Sequence, residues 1–216
     1  LIFPNKYVAN EFVENYTVEN EQILIQPQGI YCKFELDITK EEAKKQICNS
    51  LRIPLDSKLI FNCAAYGDIR KGIDVFFEIA KKMVLKDKSI HFIWVGNVDP
   101  VYKQWLEYDI KKLDLKNNIH FLGYIEKPEI YFRGTAVYIL TSREDPFPSV
   151  VLEAMELGTP ALAFENTGGI PELNDNIGGL NIKYLDVDGA IEKIELLLEN
   201  KELYNKIATK GSEYVK

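Results

Sequence analysis

Short apolar runs rich in β-branched and aromatic residues recur along the chain and predict buried strands. Six such runs occur, at residues 23–27, 59–65, 90–96, 119–123, 136–141 and 160–165. Helical patterns lie between and after them, at 38–51, 72–86, 101–115 and 149–158, and two further amphipathic helices meet near Asn200. Strands that alternate with helices of this length form right-handed βαβ units. The expected fold is therefore α/β with a mostly parallel sheet.

Local signals mark several helix starts. Thr39 and Glu42 have the spacing of a capping box. Pro148 suits the first position of the helix that follows it. Asp186 and Asp188 form an Asp-x-Asp pair that can indicate a metal site, but Asp188 directly before a helix is better explained as an N-cap.

Residues 1–22 fit the alternating pattern less well. Residues 1–16 predict a strand and a short helix, and we expect 1–22 to be a remnant of a preceding domain and linker. Residues 23–216 then form the main domain. Leu1 lies within an apolar run and is not an initiator Met, which hints at a piece of a longer chain.

Composition removes several classes of function. The 216 residues include 26 basic and 33 acidic ones, a net charge of −7, so a general electrostatic footprint for nucleic acid or anionic membrane is absent. Cys32, Cys48 and Cys63 form no Cys-x-x-Cys pair, which argues against disulfides and structural zinc and favours a reducing, cytoplasmic setting. No run approaches the roughly 18 apolar residues of a membrane span, and no signal peptide is visible.

Ligands of parallel sheets bind outside the carboxyl ends of the strands, so the turns there are candidate sites. The turn at 64–74 places Arg70 and Lys71 between Gly67 and Gly72, just before a helix. Two cations with backbone amides that can approach a ligand suit a diphosphate. The alternative is a solvated, charged turn.

The stretch 142–155 is the stronger candidate. Amides of Ser149, Val150 and Val151 should point out of a helix start, where the macrodipole favours an anion. Glu153 follows Ser149 by four residues on the same helix face. It is either a solvated helix residue or an acceptor for the two hydroxyls of a ribose, and the second alternative predicts a nucleotide.

Two other features can have either a structural or a functional explanation. Gly168 and Gly169 could bring backbone amides to a ligand or could form a tight turn. His91 and His120 each lie in an apolar strand pattern, and neither is adjacent to a Cys or a second His. Core histidines are the favoured interpretation.

Taken in order, these motifs resemble the C-terminal, donor-binding domain of retaining GT-B glycosyltransferases of family 4, over about residues 58–215. The family's Glu-x7-Glu stretch corresponds to Asp145 and Glu153, with Gly158 and Pro160 in register. Other segments that resemble family motifs are 65–80, 90–100, 119–125 and 164–173, and 23–31 resembles the link between the two GT-B domains.

The resemblance implies a Rossmann-like, three-layer domain, one half of a GT-B enzyme, and it implies roles. Lys71 would neutralise the donor diphosphate, Asp145 would bind the donor sugar, and Glu153 would hold the ribose hydroxyls. Arg70 could replace the family Arg that is Tyr66 here. The remaining donor-binding candidates are Gly67, Gly123, Tyr124, Phe147, Pro148, Ser149, Val150, Gly168 and Gly169.

The implied activity is sugar transfer from a nucleotide-diphosphate sugar with retention, without metal or another cofactor, in polysaccharide or glycoconjugate biosynthesis. A sugar, lipid-linked or glycan acceptor would bind through the missing N-terminal domain. The enzyme would work in the cytoplasm or at the inner face of the membrane. This fragment alone would be inactive. The alternatives are a nucleotide-sugar epimerase of GT-B architecture and a non-catalytic nucleotide-binding module. A dinucleotide oxidoreductase is disfavoured because no Gly-x-Gly-x-x-Gly follows the first strand.

Overall fold

The computed structural model describes residues 1–26, 34, 36–177 and 179–215. Residues 27–31 of the predicted interdomain link, and Cys32, lie outside the described residues.

A short strand and a helix open the chain, as the sequence predicts: β1 (Ile2–Phe3) and α1 (Lys6–Asn15). A 3-10 turn at Asn20–Gln22 leads to β2 (Leu24–Ile25), which pairs with β1 in a parallel two-stranded sheet. The prediction of a buried strand at 23–27 is wrong for the described part, because β2 lies outside the main sheet and Leu24 is 54% exposed. The domain boundary after residue 22 stays a prediction.

The main sheet has six strands, all parallel, in the spatial order β5-β4-β3-β6-β7-β8. Its strands are β3 (Lys58–Gly67), β4 (Ile90–Val98), β5 (Ile119–Phe121), β6 (Val137–Leu140), β7 (Ala161–Phe164) and β8 (Asn181–Ile182). Counted from β3, this is the doubly wound order 3-2-1-4-5-6. The strand order therefore reverses between β3 and β6, where such sheets leave a crevice for a ligand.

Helices cover both faces of the sheet, and the six that are predicted after residue 22 are confirmed. The helices after α1 are α2 (Lys40–Leu51), α3 (Ile73–Lys86), α4 (Pro100–Lys112), α5 (Glu129–Gly134), α6 (Ser149–Glu156), α7 (Ile170–Ile177), α8 (Val187–Glu199) and α9 (Lys201–Val215). The sequence patterns do not predict α5, α7 and β8, which are short. No helix within the described ranges has both the length and the apolar character needed to cross a membrane.

Two hydrophobic clusters lie on opposite faces of the sheet, because successive strand residues point to opposite sides. Ile60 joins one cluster and Phe61 the other. On the first face Phe76 packs edge-on against Trp94, with ring centroids 5.3 Å apart. On the second face Phe61 packs against Phe132 at 5.0 Å. This gives the predicted three layers.

The helix caps confirm one prediction and correct another. Thr39 and Glu42 form the predicted capping box, with hydrogen bonds of 2.8 and 3.1 Å. The cap of α8 is Asp186, whose Oδ1 accepts from the Gly189 amide at 2.9 Å, and not Asp188. Because α8 begins at Val187, Asp188 already lies in the first turn, and it pairs with Lys82 at 2.7 Å.

The structure brings together two histidines that the sequence treats separately. His91 is buried and His120 half-buried, and their rings stack with centroids 5.6 Å apart across β4 and β5. His91 Nδ1 and His120 Nε2 lie 3.3 Å apart. Burial lowers the pKa of both rings, that of His120 to about 4, and the charge of His91 adds to the effect on His120. Both residues are therefore core histidines, as the sequence predicts, and they form a stacked pair.

Candidate functional site

The turn after β3 is held tightly against the end of β6. The Asp68 carboxylate accepts from the Lys71 amide at 2.8 Å, and Gly72 caps α3 with a left-handed φ of 69°. A Cβ on Gly72 would lie 1.8 Å from the Thr141 carbonyl oxygen. Gly67 meets the Trp94 ring in the same way, at 2.7 Å. Both glycines allow the backbone to pass close to its neighbours, which fixes the position of Lys71.

Lys71 and Asp145 lie in two turns that are distant in sequence, and they form an ion pair at the switch point between β3 and β6. Their side chains are only 20% and 10% exposed. The Ser142 hydroxyl donates at 3.3 Å to Asp145 Oδ2, the oxygen that also pairs with Lys71. A partly desolvated cation and carboxylate therefore face each other at the switch point, where sheets of this type bind their ligands.

A series of buried hydrogen bonds connects the Lys71–Asp145 pair to the interior of the sheet. The Tyr138 hydroxyl lies 3.2 Å from Asn62 Oδ1, and the Asn62 amide donates to Thr141 Oγ1 at 3.0 Å. Thr141 in turn donates to the Lys71 carbonyl at 3.2 Å. Asn62, Tyr138 and Thr141 are not among the predicted site residues, although polar side chains inside or just after apolar strand patterns are a usable signal. They connect the Lys71 backbone to the interior of the sheet.

Arg143 joins the two turns by a second ion pair, which the sequence analysis did not assign. Its guanidinium donates to both carboxylate oxygens of Asp74 on α3, at 2.8 and 2.7 Å, and to the Ile69 carbonyl at 2.5 Å. The hydrogen bond with Asp74 raises the pKa of Arg143. Arg70, in contrast, is exposed, and its guanidinium reaches the Glu144 carbonyl at 3.2 Å.

The start of α6 differs in one respect from the prediction. Pro148 is the N-cap, with φ −72° and ψ 111°, and Ser149 is the first helical residue. Pro148 has the extended backbone typical of an N-cap, and its carbonyl accepts from the Val151 amide at 3.2 Å. The Val151 amide is thus engaged. The Ser149 and Val150 amides have no acceptor within the described part of the chain.

Glu153 lies one turn along α6 and is half-buried. The alternative that Glu153 is a solvated helix residue is therefore wrong. Burial raises its pKa, whereas a hydrogen bond with the Ser149 side chain acts in the opposite direction. Its charge also acts on Cys63 of β3, whose pKa is raised to about 12, mainly by burial. Glu153 therefore faces the sheet behind the free amides of the helix start.

The turn after β7 packs on the turn that carries Asp145. Gly168 has a φ of 149°, and a Cβ there would lie 1.9 Å from the Asp145 carbonyl oxygen. The Asp145 amide donates to the Thr167 carbonyl at 2.7 Å, and the Gly169 amide to the Pro146 carbonyl at 3.1 Å. Both glycines thus serve close packing of turns, and the Gly169 amide is already engaged. Donor binding by the two glycines stays a prediction.

The remaining candidates border two recesses. Gly123 lies at the ends of β4 and β5, where its carbonyl accepts from the Gly96 amide at 2.8 Å, and Tyr124 beside it is 69% exposed. Gly123 and Tyr66 line a recess of about 350 Å³. Phe147 lines a separate cavity of about 220 Å³ between α6, α7 and the start of the chain.

Residues 43–214 match the model of the family Glycosyl transferases group 1. The chain belongs to this family. A relative from Campylobacter jejuni, the N,N'-diacetylbacillosaminyl-diphospho-undecaprenol alpha-1,3-N-acetylgalactosaminyltransferase, is 28% identical over 98% of this chain and 54% of its own length. The chain spans 40%, 54% and 33% of the first three curated relatives, about half their length or less.

Solved structures confirm the predicted fold of GT-B type. Anabaena Alr3699/HepE, solved with UDP and glucose, matches 99% of this chain and 57% of its own with a TM-score of 0.82 and 18% identity. The C-terminal domain of a group 1 family protein, LpcC from Francisella tularensis, matches 82% of this chain and 96% of its own, with a TM-score of 0.69 and 23% identity.

Proposed function

We propose that the chain is the C-terminal, donor-binding half of a retaining, metal-independent glycosyltransferase of the family 4 type. One observation carries this proposal: the Lys71–Asp145 ion pair lies at the switch point of the sheet, in the turn that leads to the free amides of α6. The match to a solved C-terminal domain over 96% of that domain supports the placement.

The donor diphosphate binds between Lys71 and the start of α6. The Ser149 and Val150 amides and the helix dipole favour an anion there, and Lys71 supplies a full positive charge. Without donor, Asp145 neutralises Lys71. The diphosphate replaces Asp145 as the partner of Lys71, which leaves the Asp145 carboxylate to accept hydrogen bonds from sugar hydroxyls.

Glu153 holds the ribose. A carboxylate accepts two hydrogen bonds from neighbouring hydroxyls, and its position one turn beyond the phosphate-binding amides matches the order of groups in a nucleotide. Gly123 and Tyr124 border the base at the ends of β4 and β5, beside the recess of about 350 Å³. Phe147 and Pro148 shape the sugar end of the site.

In the reaction, the bond between the anomeric carbon and the diphosphate oxygen breaks while an acceptor hydroxyl attacks the same face of the sugar. Lys71 and the nearby Arg70 neutralise the charge that develops on the departing diphosphate, which is the task that a metal ion performs in other enzymes. The acceptor comes from the other half of the enzyme, so these 216 residues alone turn over little donor.

The acceptor is a sugar, glycan or lipid-linked sugar, and the enzyme works in the cytoplasm or at the inner face of the membrane. The Campylobacter relative is named for transfer to an undecaprenol-diphosphate-linked sugar, which supports a lipid-linked acceptor. The glycosyltransferase names of the relatives favour this function over an epimerase or a non-catalytic nucleotide-binding module.

Calorimetric titration with UDP, GDP and ADP, with their nucleosides and with their sugars, each with and without chelator, tests the proposal. We expect one diphosphate nucleotide to bind at least about tenfold tighter than its nucleoside, a difference of about 1.4 kcal/mol, and equally well with chelator. Equal affinity for diphosphate and nucleoside would reject the donor site. Loss of binding with chelator would reject metal independence.

A further inference from the structure

Lys40 has an unusual environment at the end of the sheet that lies opposite the Lys71–Asp145 pair. It is the first residue of α2, and its Nζ donates to Thr159 Oγ1 at 2.9 Å and lies 5.6 Å from the centre of the Tyr204 ring on α9. Its side chain thus crosses the packed boundary between α2, the start of β7 and α9.

The amine of Lys40 has no carboxylate partner. None of the ion pairs in the described residues includes it. Its place in the first turn of α2 is also unfavourable for a cation, because the positive end of the helix dipole lies there. Burial and the nearby charge of Arg133 lower the pKa of Lys40 to about 7, although the neighbouring Glu41 carboxylate acts in the opposite direction. Much of the amine is therefore neutral, and nucleophilic, near pH 7.

A hydrogen-bond donor without an acceptor lies near the same amine. Arg133 Nε is buried without a hydrogen-bond partner in the described part of the chain, whereas the Tyr204 hydroxyl interacts with the Thr159 side chain. Lys40, Glu41, Lys44 and Tyr204 line a cavity of about 350 Å³. The positive charges of Arg133 and Lys44 outnumber the negative charge of Glu41, and the cavity offers space, so the surroundings favour an added anionic group.

We propose that Lys40 is a carbamylation site, at which the side-chain amine reversibly captures carbon dioxide. The Nζ lone pair forms a bond to the carbon of CO2, one C–O π pair moves to oxygen, and Nζ releases a proton to solvent. The neutral amine and CO2 give a carbamate anion and one proton, without oxidant or reductant.

The carbamate resolves each of the unfavourable features. Its remaining N–H keeps the hydrogen bond to Thr159, and its oxygens provide an acceptor for Arg133 Nε. An anion replaces a cation in the first turn of α2, where the helix dipole favours it. Lys44, one turn further along α2, contributes a second positive charge to the same cavity.

Carbon-13 NMR of the protein in labelled bicarbonate, followed by chemical trapping of carbamates and peptide mass spectrometry, tests this proposal. The parent should show two carbamate resonances, one from the N-terminal α-amine of the expressed protein and one from Lys40, and the trapped adduct should map to the Lys40 peptide. The Lys40 signal should weaken as pH falls below about 7, because protonation removes the nucleophile.

Matched variants decide the assignment. Lys40→Arg keeps a cation but forms no carbamate, so one resonance should disappear. Lys45→Met, an exposed change on the same helix, should retain both resonances. A parent without a trapped adduct at Lys40, or a Lys40→Arg protein of native circular dichroism that keeps both resonances, would overturn the proposal.

Discussion

Arg143 and Asp74 connect the turn after β6 to the helix after β3 through two parallel hydrogen bonds, of 2.8 and 2.7 Å. The Arg143 amide also donates to the Arg70 carbonyl at 2.8 Å. This two-pronged pair therefore holds the Lys71 and Asp145 turns at a fixed separation, although neither of its members is a candidate ligand.

Arg143→Lys should loosen this connection. A lysine cannot make both hydrogen bonds, so we expect a loss of about 1 kcal/mol, or a melting temperature lower by about 2–4 °C. Nucleotide affinity should fall with it. Lys103→Met, which removes an exposed ion pair with Glu107 at 3.8 Å, is the control and should change stability by less than about 0.5 kcal/mol.

Lys71→Ala and Asp145→Asn should affect nucleotide binding in opposite ways. Loss of Lys71 should weaken a diphosphate nucleotide by about 10- to 100-fold and leave the nucleoside unchanged. Asp145→Asn frees Lys71, so binding of the bare diphosphate should stay equal or tighten, while any extra affinity for the sugar-bearing donor is lost. Calorimetry with the three ligands distinguishes the outcomes, and parallel losses in both variants would contradict the pairing.

Glu153→Gln should stabilise the free protein at neutral pH and weaken nucleotide binding. Burial raises the pKa of Glu153, so the folded state holds this proton more tightly than the unfolded chain, and the free energy of unfolding falls as pH rises through the window above the ordinary value of 4.5. The glutamine removes this dependence. Denaturant unfolding at several pH values checks the first effect, and a variant less stable than the parent at neutral pH would contradict it.

Gly168→Ala and Gly158→Ala form a matched pair of glycine substitutions. Both positions have positive φ, but a Cβ at Gly168 would lie 1.9 Å from the Asp145 carbonyl oxygen, whereas nothing lies within 4 Å of one at Gly158. We expect about 1 kcal/mol of destabilisation at Gly158 and clearly more, with loss of nucleotide affinity, at Gly168. Equal thermal shifts would show that the turn accommodates the methyl group.

The histidine pair should make stability depend on pH in mildly acidic solution. The pKa of His120 is lowered from 6.5 to about 4, so the unfolded chain binds more protons between these values. Stability is therefore fully present above about pH 6.5 and is lost as pH falls towards 4. His120→Gln should flatten this part of the profile, and an unchanged slope would contradict the assignment.

The alternation of apolar runs and helical patterns was sufficient to predict most of the fold. The long helices and the strands of the main sheet followed from periodicity, because each buries a wide apolar face. Elements such as α7 and β8 were missed because they are short and begin beside glycines and Pro171, which are typical of turns. Their conformation depends on contacts with the rest of the domain.

For the site, motif order identified Lys71 and Asp145, and the structure brings them together. The sequence alone could not identify the residues that support the Lys71–Asp145 pair, because their roles depend on the register of neighbouring strands. Asn62 and Tyr138 look like ordinary strand residues until β3 and β6 are placed side by side. The stacking of His91 on His120 likewise requires that β4 and β5 be adjacent.

Asn5 makes two contacts that belong to different parts of the chain. Its Oδ1 accepts from the Val8 amide at the start of α1, while its Nδ2 donates to the Pro146 carbonyl at 2.5 Å, next to Asp145. A version of the protein shortened to the six-stranded sheet alone would lose both hydrogen bonds together. The position at which the chain is truncated for experiments on isolated domains will therefore itself alter the turn that carries Asp145.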